Sequence, residues 1–282
     1  MSKSDDRIVL WRNGIQLFNK YTNFTGPFKS AGFDKYIVEQ PFLTNDGEDV
    51  SPDIISSGSD GWVIFDLTTS PNSKEHNFEK YRRADPRYLN QHGLKVHTIE
   101  PDIISGRLES VPDGPVCKVI IKDILRIEDS QYLRNINLAN NLNLANGTDL
   151  SKLPQIPITL VPEMDSKSGE IRRGLVDIVM KLFDPSCEGM TPIQIVDEGL
   201  ERLADVTNVT KKKSLMDKVK NEMNLLISNH LKDYLEYKDG KYIKTEKFKK
   251  HYATLESIST ELKKWSEGSQ TTLNRFQSGK NE

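Results

Sequence analysis

The chain has 282 residues, 36% of them hydrophobic and 28% charged, with a net charge of −2 and only two cysteines. That length holds one large domain or two ordinary ones, and no apolar run is long enough to cross a bilayer. Cys117 and Cys187 lie far apart without ligand-type spacing, which excludes a zinc ribbon and a disulfide scaffold, and with no signal-peptide pattern at Met1 a reducing cytoplasm is expected. The histidines (His76, His92, His97, His230 and His251) are scattered without HExxH spacing, and no glycine-rich phosphate loop occurs. A zinc hydrolase, a nucleotide hydrolase and a hydride-transfer enzyme therefore lack support.

In chain order, the first extended pattern is Asp34–Leu43, which carries Glu39. Two short apolar runs follow, Pro52-Asp53-Ile54-Ile55 and Trp62 to Ser70, around the turn Gly58-Ser59-Asp60-Gly61. Glycine-bounded turns between such runs predict a β-hairpin. Alternate residues of a strand share a face, so Trp62, Ile64, Asp66 and Thr68 point one way and Val63, Phe65 and Leu67 the other. A carboxylate inside so apolar a run costs free energy unless it is paired. Asp53 and Asp66 brought together at the hairpin end form a candidate divalent-cation site, because oxygen ligands suit magnesium.

Pro52-Asp53, a gap, then Phe65-Asp66-Leu67-Thr68 resembles the PD-(D/E)xK motif of the restriction-endonuclease-like superfamily. The resemblance implies that Asp53 and Asp66 bind Mg2+, with Glu39 reaching the same site, and that the chain hydrolyses phosphodiester bonds. Thr68 stands where the motif has its catalytic lysine. A threonine orients water but brings no positive charge to the transition state, so the missing cation is expected from Lys74 or Lys80 just downstream.

The next segment has Phe78 and Tyr81 at helical spacing and carries Lys80, Arg82 and Arg83. In the resembled family this helix often holds helper residues, which draws in Lys80 and Tyr81. The plainer reading makes the basic residues a solvated helix face and Tyr81 a core residue. Asp85-Pro86 breaks the helix, and Leu94–Ile99 resumes an extended pattern. The order β, β, β, α, β fits the resembled core, and a crossover after the third strand implies a parallel neighbour. Asparagine-rich 135–147 reads as a linker or an elaborated loop. Pro157–Pro162 is extended, and Glu170–Phe183 is helical, with Ile171, Leu175, Ile178, Val179 and Leu182 on one face.

Asp184–Gly189 is a break, and Thr191-Pro192 then gives a helix start with the threonine as cap. A longer helical pattern uses Leu215, Val219, Met223, Leu226 and Ile227. Alternating residues around Asp239-Gly240 predict a second hairpin. Residues 211–250 hold twelve lysines against six acids, a local footprint for a phosphate backbone on an otherwise acidic chain. Helices closed by a basic, aromatic hairpin resemble a winged helix-turn-helix domain. That likeness implies DNA contacts from Lys211, Lys212, Lys213, Lys238 and Lys241, or else a protein-contact surface.

The expected architecture is α/β: a mixed central sheet with flanking helices over 1–188, a smaller, mainly α, winged-helix domain over 189–266, and a disordered polar tail over 267–282. The expected function is a Mg2+-dependent DNA endonuclease of restriction, mobile-element or defence type, with a homodimer and a partner protein on the winged-helix domain left open. Two alternatives stand beside it. One is a nuclease fold that has lost activity and serves DNA binding or assembly; the other is a winged-helix regulator with an unrelated sensory domain, which the paired acids disfavour.

Overall fold

Runs of β-branched and aromatic residues build a six-stranded sheet. The computed structural model describes residues 3–59, 61–69, 78–85, 90, 93–94, 100–110, 114–162, 168–250 and 255–278. They belong to two compact units, Met1–Pro157 with Val206–Asn208, and Ile158–Asp205 with Val209–Glu282.

The first unit opens with α1 (Lys3–Gln16), a short hairpin of β1 (Lys20–Tyr21) and β2 (Phe24–Thr25), and α2 (Pro27–Ser30). There follow β3 (Lys35–Val38), a second short pair of β4 (Phe42–Leu43) and β5 (Asp49–Val50), and the hairpin of β6 (Ile54–Gly58) and β7 (Gly61–Thr68). Beyond it come α3 (Phe78–Arg82), β8 (Asp102–Arg107), β9 (Cys117–Ile121), β10 (Leu125–Glu128) and α4 (Ile136–Ala145). The sheet order is β10-β9-β8-β7-β6-β3. Strands β7, β8 and β9 run parallel, and the remaining neighbours are antiparallel.

The alternation along β7 divides the core as its sequence predicts. Phe65 and Leu67 face α1, where a methyl group added to Gly14 would lie 3.3 Å from Leu67. Asn13 anchors α1 by donating to the carbonyls of Ile121 and Lys122 at 2.7 and 2.6 Å. On the opposite face Trp62 and Ile64 pack with Phe42, Ile55, Ala84 and Leu94. Phe78 of α3 packs there with Ile103 and Val116, and Tyr81 touches both clusters.

Two expectations change. The parallel neighbour of β7 is β8, not Leu94–Ile99, of which residues 95–99 lie outside the described residues. The asparagine-rich stretch is not a loop but holds helix α4, because Asn135 caps it through Leu138 N–H at 2.8 Å while Leu138 and Leu142 are buried one turn apart. Asp102 fixes the approach to that cap by accepting from the backbone N–H groups of Arg134 and Asn135 at 2.7 and 3.0 Å.

The second unit contains α5 (Ser168–Leu182), α6 (Pro192–Leu200), α7 (Val209–Leu226), a π-helical turn at Ile227–Leu231, the hairpin of β11 (Leu235–Lys238) and β12 (Lys241–Lys244), α8 (Glu246–Lys250) and α9 (Leu255–Ser278). Helix α6 starts as expected: Thr191 and Gln194 form a reciprocal capping box, with Pro192 in the first turn. At the hairpin tip Asp239 and Gly240 have φ of 53° and 79°, the left-handed pair that a two-residue turn requires. Helix α5 contacts α6, α7 and α9, so the junction falls at 157/158 and not at 188/189. Helix α9 extends to Ser278, and residues 279–282 of the expected tail lie outside the described residues. Among the described residues, no helix is long and apolar enough to cross a membrane.

Candidate active site

Pro52 carries no N–H and cannot extend the ladder of β6 as a donor. The Asp53 carboxylate takes over at that point, accepting the backbone N–H of Leu67 through Oδ2. The last rung of the β6–β7 hairpin pairs Ile54 with Phe65, so the next position sets Asp53 beside Asp66. Residues opposite each other on antiparallel strands project from one face. Asp53 and Asp66 are 7% and 3% exposed.

Tyr81 of α3 closes over this pair, its hydroxyl donating to Asp66 Oδ1 at 3.0 Å. Burial, above all, raises the Tyr81 phenol far above its ordinary range. The charges of Asp66 and Asp53, the bond to Asp66 and, last, the charge of Glu39 add to that rise. One hydroxyl thus senses all three carboxylates, and it is held as a donor.

Glu39 follows β3 in the left-handed region, with φ of 53°. That conformation costs a non-glycine residue about 1–2 kcal/mol, and it turns the chain so that Glu39 N–H meets the Asp53 carbonyl at 2.8 Å. The buried Glu39 carboxylate accepts from Ser51 Oγ at 3.5 Å. Among the described residues, no group of three or more His, Cys, Asp and Glu stands together in a way that could hold a metal ion. Of the expected set of Glu39, Asp53 and Asp66, the last two are opposed at the hairpin end, and Glu39 meets Asp53 through its backbone. The pair suits magnesium, which takes one or two carboxylates and completes its shell with water and substrate phosphate oxygens.

The expected cations fare differently. Lys74 lies outside the described residues. Lys80 is drawn outward to Glu48 at 3.3 Å, and Arg83 pairs with Asp46 and with Glu48, so the turn between β4 and β5 neutralises the basic side of α3. Thr68 is buried at the end of β7. Across the parallel ladder Asp66 pairs with Ser105, which in turn pairs with Lys118, while Thr68 pairs with Arg107. Lys118 meets Asp129 at 2.8 Å. Arg107, 3% exposed, donates from Nε to Ser105 Oγ at 2.9 Å. The expectations from sequence pass over Ser105, Arg107 and Lys118. The signal for the first two is Ile103-Ile104-Ser105-Gly106-Arg107, an apolar run with polar residues at alternate positions, as in Asp66 and Thr68 of β7.

The basic residues of the second unit also separate. Lys212 is held by Asp197 at 2.6 Å and by the Ala204 carbonyl at 3.0 Å. Lys211 is half-buried, and Lys213 is exposed near the start of α7. Lys238 and Lys241 are exposed on either side of the hairpin tip. On the same hairpin Tyr237 lies under Lys220, whose Nζ is 5.7 Å from the ring centre.

Compared with models of known protein families, with curated proteins and with solved structures, the chain finds no match.

Proposed function

We propose that the chain is a magnesium-dependent DNA endonuclease whose first unit carries the reaction and whose second unit grips the phosphate backbone. The observation that carries this reading is the placement of Asp53 opposite Asp66 at the end of the β6–β7 hairpin, with the Tyr81 hydroxyl donating to Asp66. Asp53 and Asp66 would hold Mg2+, which supplies Lewis-acid polarisation of a phosphodiester and an acidified water. The residues of the chain do the rest. The Leu67 N–H orients Asp53, Tyr81 orients Asp66, and the packing of α3 limits bulk water around both acids.

The second unit supports the grip through the order of its parts. Helices α6 and α7, followed by a hairpin with lysines at its tip, resemble a winged helix-turn-helix. Lys213, Lys220, Lys238 and Lys241 are exposed along α7 and the hairpin, and Tyr237 offers an aromatic face beside them. Such a mixture suits phosphate and base contacts.

The test is nicking of supercoiled plasmid DNA with Mg2+ and with EDTA, by the wild-type chain and by Asp66→Ala. Mg2+-dependent nicking that Asp66→Ala abolishes supports the reading, and equal nicking by both proteins sinks it. The substitution of Thr68 for the motif lysine favours a second reading, a DNA-binding or assembly protein on an inactive nuclease fold. DNA binding without nicking by the wild type is the outcome that selects it.

A further inference from the structure

The outer face of α4 (Ile136–Ala145) has a composition unlike that of a solvated helix. From Asn135 to Thr148 no residue is ionisable, on a chain that is 28% charged. A surface helix ordinarily turns charged residues to water, whereas the exposed positions of α4 are Ile136, Asn137, Asn140, Asn143 and Leu144. Ile136 is 73% exposed and Leu144 84%, while Leu138 and Leu142 are buried on the other side. A single exposed leucine would mean little, since scattered apolar residues are normal on a surface. Among the described residues of the first unit, however, the exposed large hydrophobics are Leu43, Ile124, Tyr132, Ile136 and Leu144. All but Leu43 lie on α4 or at its ends. Tyr132 stands four residues ahead of Ile136, and Ile124 adjoins Leu125, whose carbonyl accepts from Gly147 N–H at 2.8 Å.

The order of these residues selects the partner. Counted from Asn140, Asn137 and Asn143 stand three residues to either side, and Ile136 and Leu144 four residues to either side. The exposed face thus carries the same chemistry read in either direction: aliphatic, amide, amide, amide, aliphatic. A two-fold interface requires a surface complementary to itself, in which residue i meets j and j meets i. An antiparallel second copy centred on Asn140 sets Ile136 against Leu144 of that copy, Asn137 against Asn143, and Asn140 against its own equivalent. Each amide carries both donors and an acceptor, so identical side chains can pair. A face without charge meets its copy with no like-charge repulsion, and it offers nothing to a partner recognised by charge, nucleic acid included.

We propose that α4 is the contact through which two copies of this chain associate, helix against antiparallel helix, about a two-fold axis at Asn140. A face one helix wide buries less than the roughly 1,600 Å2 of a standard interface, so the association is weak and concentration-dependent. Neither Asp53 nor Asp66 takes part in it.

The test is sedimentation velocity of the whole chain from about 1 to about 100 μM, the range of weak complexes, with melting temperature as the check on folding. Wild type is expected to shift from monomer toward dimer across that range. Ile136→Glu and Leu144→Lys each set a charge against an aliphatic side chain and are expected to weaken the dimer at least about tenfold. Both positions are exposed and both substitutions follow the helix dipole, so the melting temperature should hold. The double variant Ile136→Glu/Leu144→Lys sets opposite charges face to face twice across the axis. It should associate more tightly at low salt than either single variant, and added salt should remove that gain. Asn140→Cys in a Cys187→Ser background, treated with oxidised glutathione, should form a disulfide-linked dimer, because a residue on the axis meets its own copy. The remaining thiol, Cys117, is buried.

A wild-type monomer throughout that range overturns the proposal. So does a dimer that Ile136→Glu and Leu144→Lys leave intact, which places the contact elsewhere. A double variant that gains nothing over the single variants, or no cross-link through position 140, overturns the antiparallel pairing.

Discussion

The hydroxyl of Tyr81 on α3 and Oδ1 of Asp66 on β7 are 3.0 Å apart, with the tyrosine as donor. The bond joins a helix to the sheet beside the buried pair of Asp53 and Asp66, so helix position and acid orientation depend on each other. The phenol is held far above its ordinary range by burial first and by the charges of Asp66 and Asp53 next.

Its alkaline behaviour follows from that direction. A phenol whose folded pKa is raised contributes stability in full below the unfolded value of about 10, and loses it as pH rises above that value. Tyr242 is raised as well, by burial and then by Tyr237. Stability should therefore fall as pH is taken above about 10, and phenolate absorbance should show Tyr81 and Tyr242 titrating only on unfolding. Tyr81→Phe should leave one such tyrosine, a shallower alkaline loss and, at neutral pH, a stability lower by about 1–3 kcal/mol, as expected for a lost bond to a charged acceptor. A full complement of tyrosines titrating in the folded state contradicts this packing.

The carboxylate pair should carry a stability cost that metal relieves. With EDTA present, Asp66→Asn is expected to melt higher than wild type, because it removes one of two adjacent buried charges. Adding Mg2+ should raise the wild-type melting point, by about 2.7 kcal/mol of stability at a hundredfold excess over Kd, and leave the variant unmoved. Calorimetric melts with EDTA and with Mg2+ check both. An equal Mg2+ response in the two proteins places the ion elsewhere.

The two thiols should react at very different rates. Cys117 is buried in β9, and burial first, then the charges of Asp129 and Asp102, push its thiol up to about 12. Cys187 is partly exposed in the second unit. Thiolate is the reactive form, so alkylation of the native protein at mildly alkaline pH should label Cys187 first and Cys117 only after denaturant is added. Two fast thiols in the native protein contradict the placement of β9.

DNA affinity should respond unequally to the lysines of the second unit. Lys238→Ala and Lys241→Ala should each lower the slope of log affinity against log salt by about 0.9, the value per phosphate contact. Lys212→Ala should leave the slope unchanged and lower stability instead, because it removes the partner of Asp197. A slope insensitive to both hairpin lysines marks the hairpin as a protein-contact surface.

How far these features are legible in sequence depends on the range of the interactions that make them. The β6–β7 hairpin, the capped start of α6 and the turn at Asp239-Gly240 are set by neighbours in the chain, and local pattern reveals them. Helix α4 is obscured because its asparagines suggest turns, although Leu138 and Leu142 keep the helical spacing. Strand β8 is short and polar at Ser105 and Arg107, so it lacks the clean apolar run that marks β7. The pairing of Thr68 with Arg107 depends on the register between two strands distant in sequence, and no local spacing encodes a register. Lys80 follows the same logic in reverse: its spacing suits the site, but Glu48 on the turn between β4 and β5 draws it away.

The first unit is not continuous in the gene. Its sheet ends at β3, and Thr207 bridges to Val38 there, with Val38 N–H donating to the Val206 carbonyl at 2.8 Å and Asn208 N–H to the Val38 carbonyl at 3.0 Å. A fragment stopped at Pro157 would encode all six strands and still leave that margin bare, and a bare strand margin invites pairing with another chain. Recombination that swapped residues 158–282 as a cassette would remove the same strip. Descent should therefore keep the two units together, each the other's genetic neighbour, because one is threaded through the reading frame of the other.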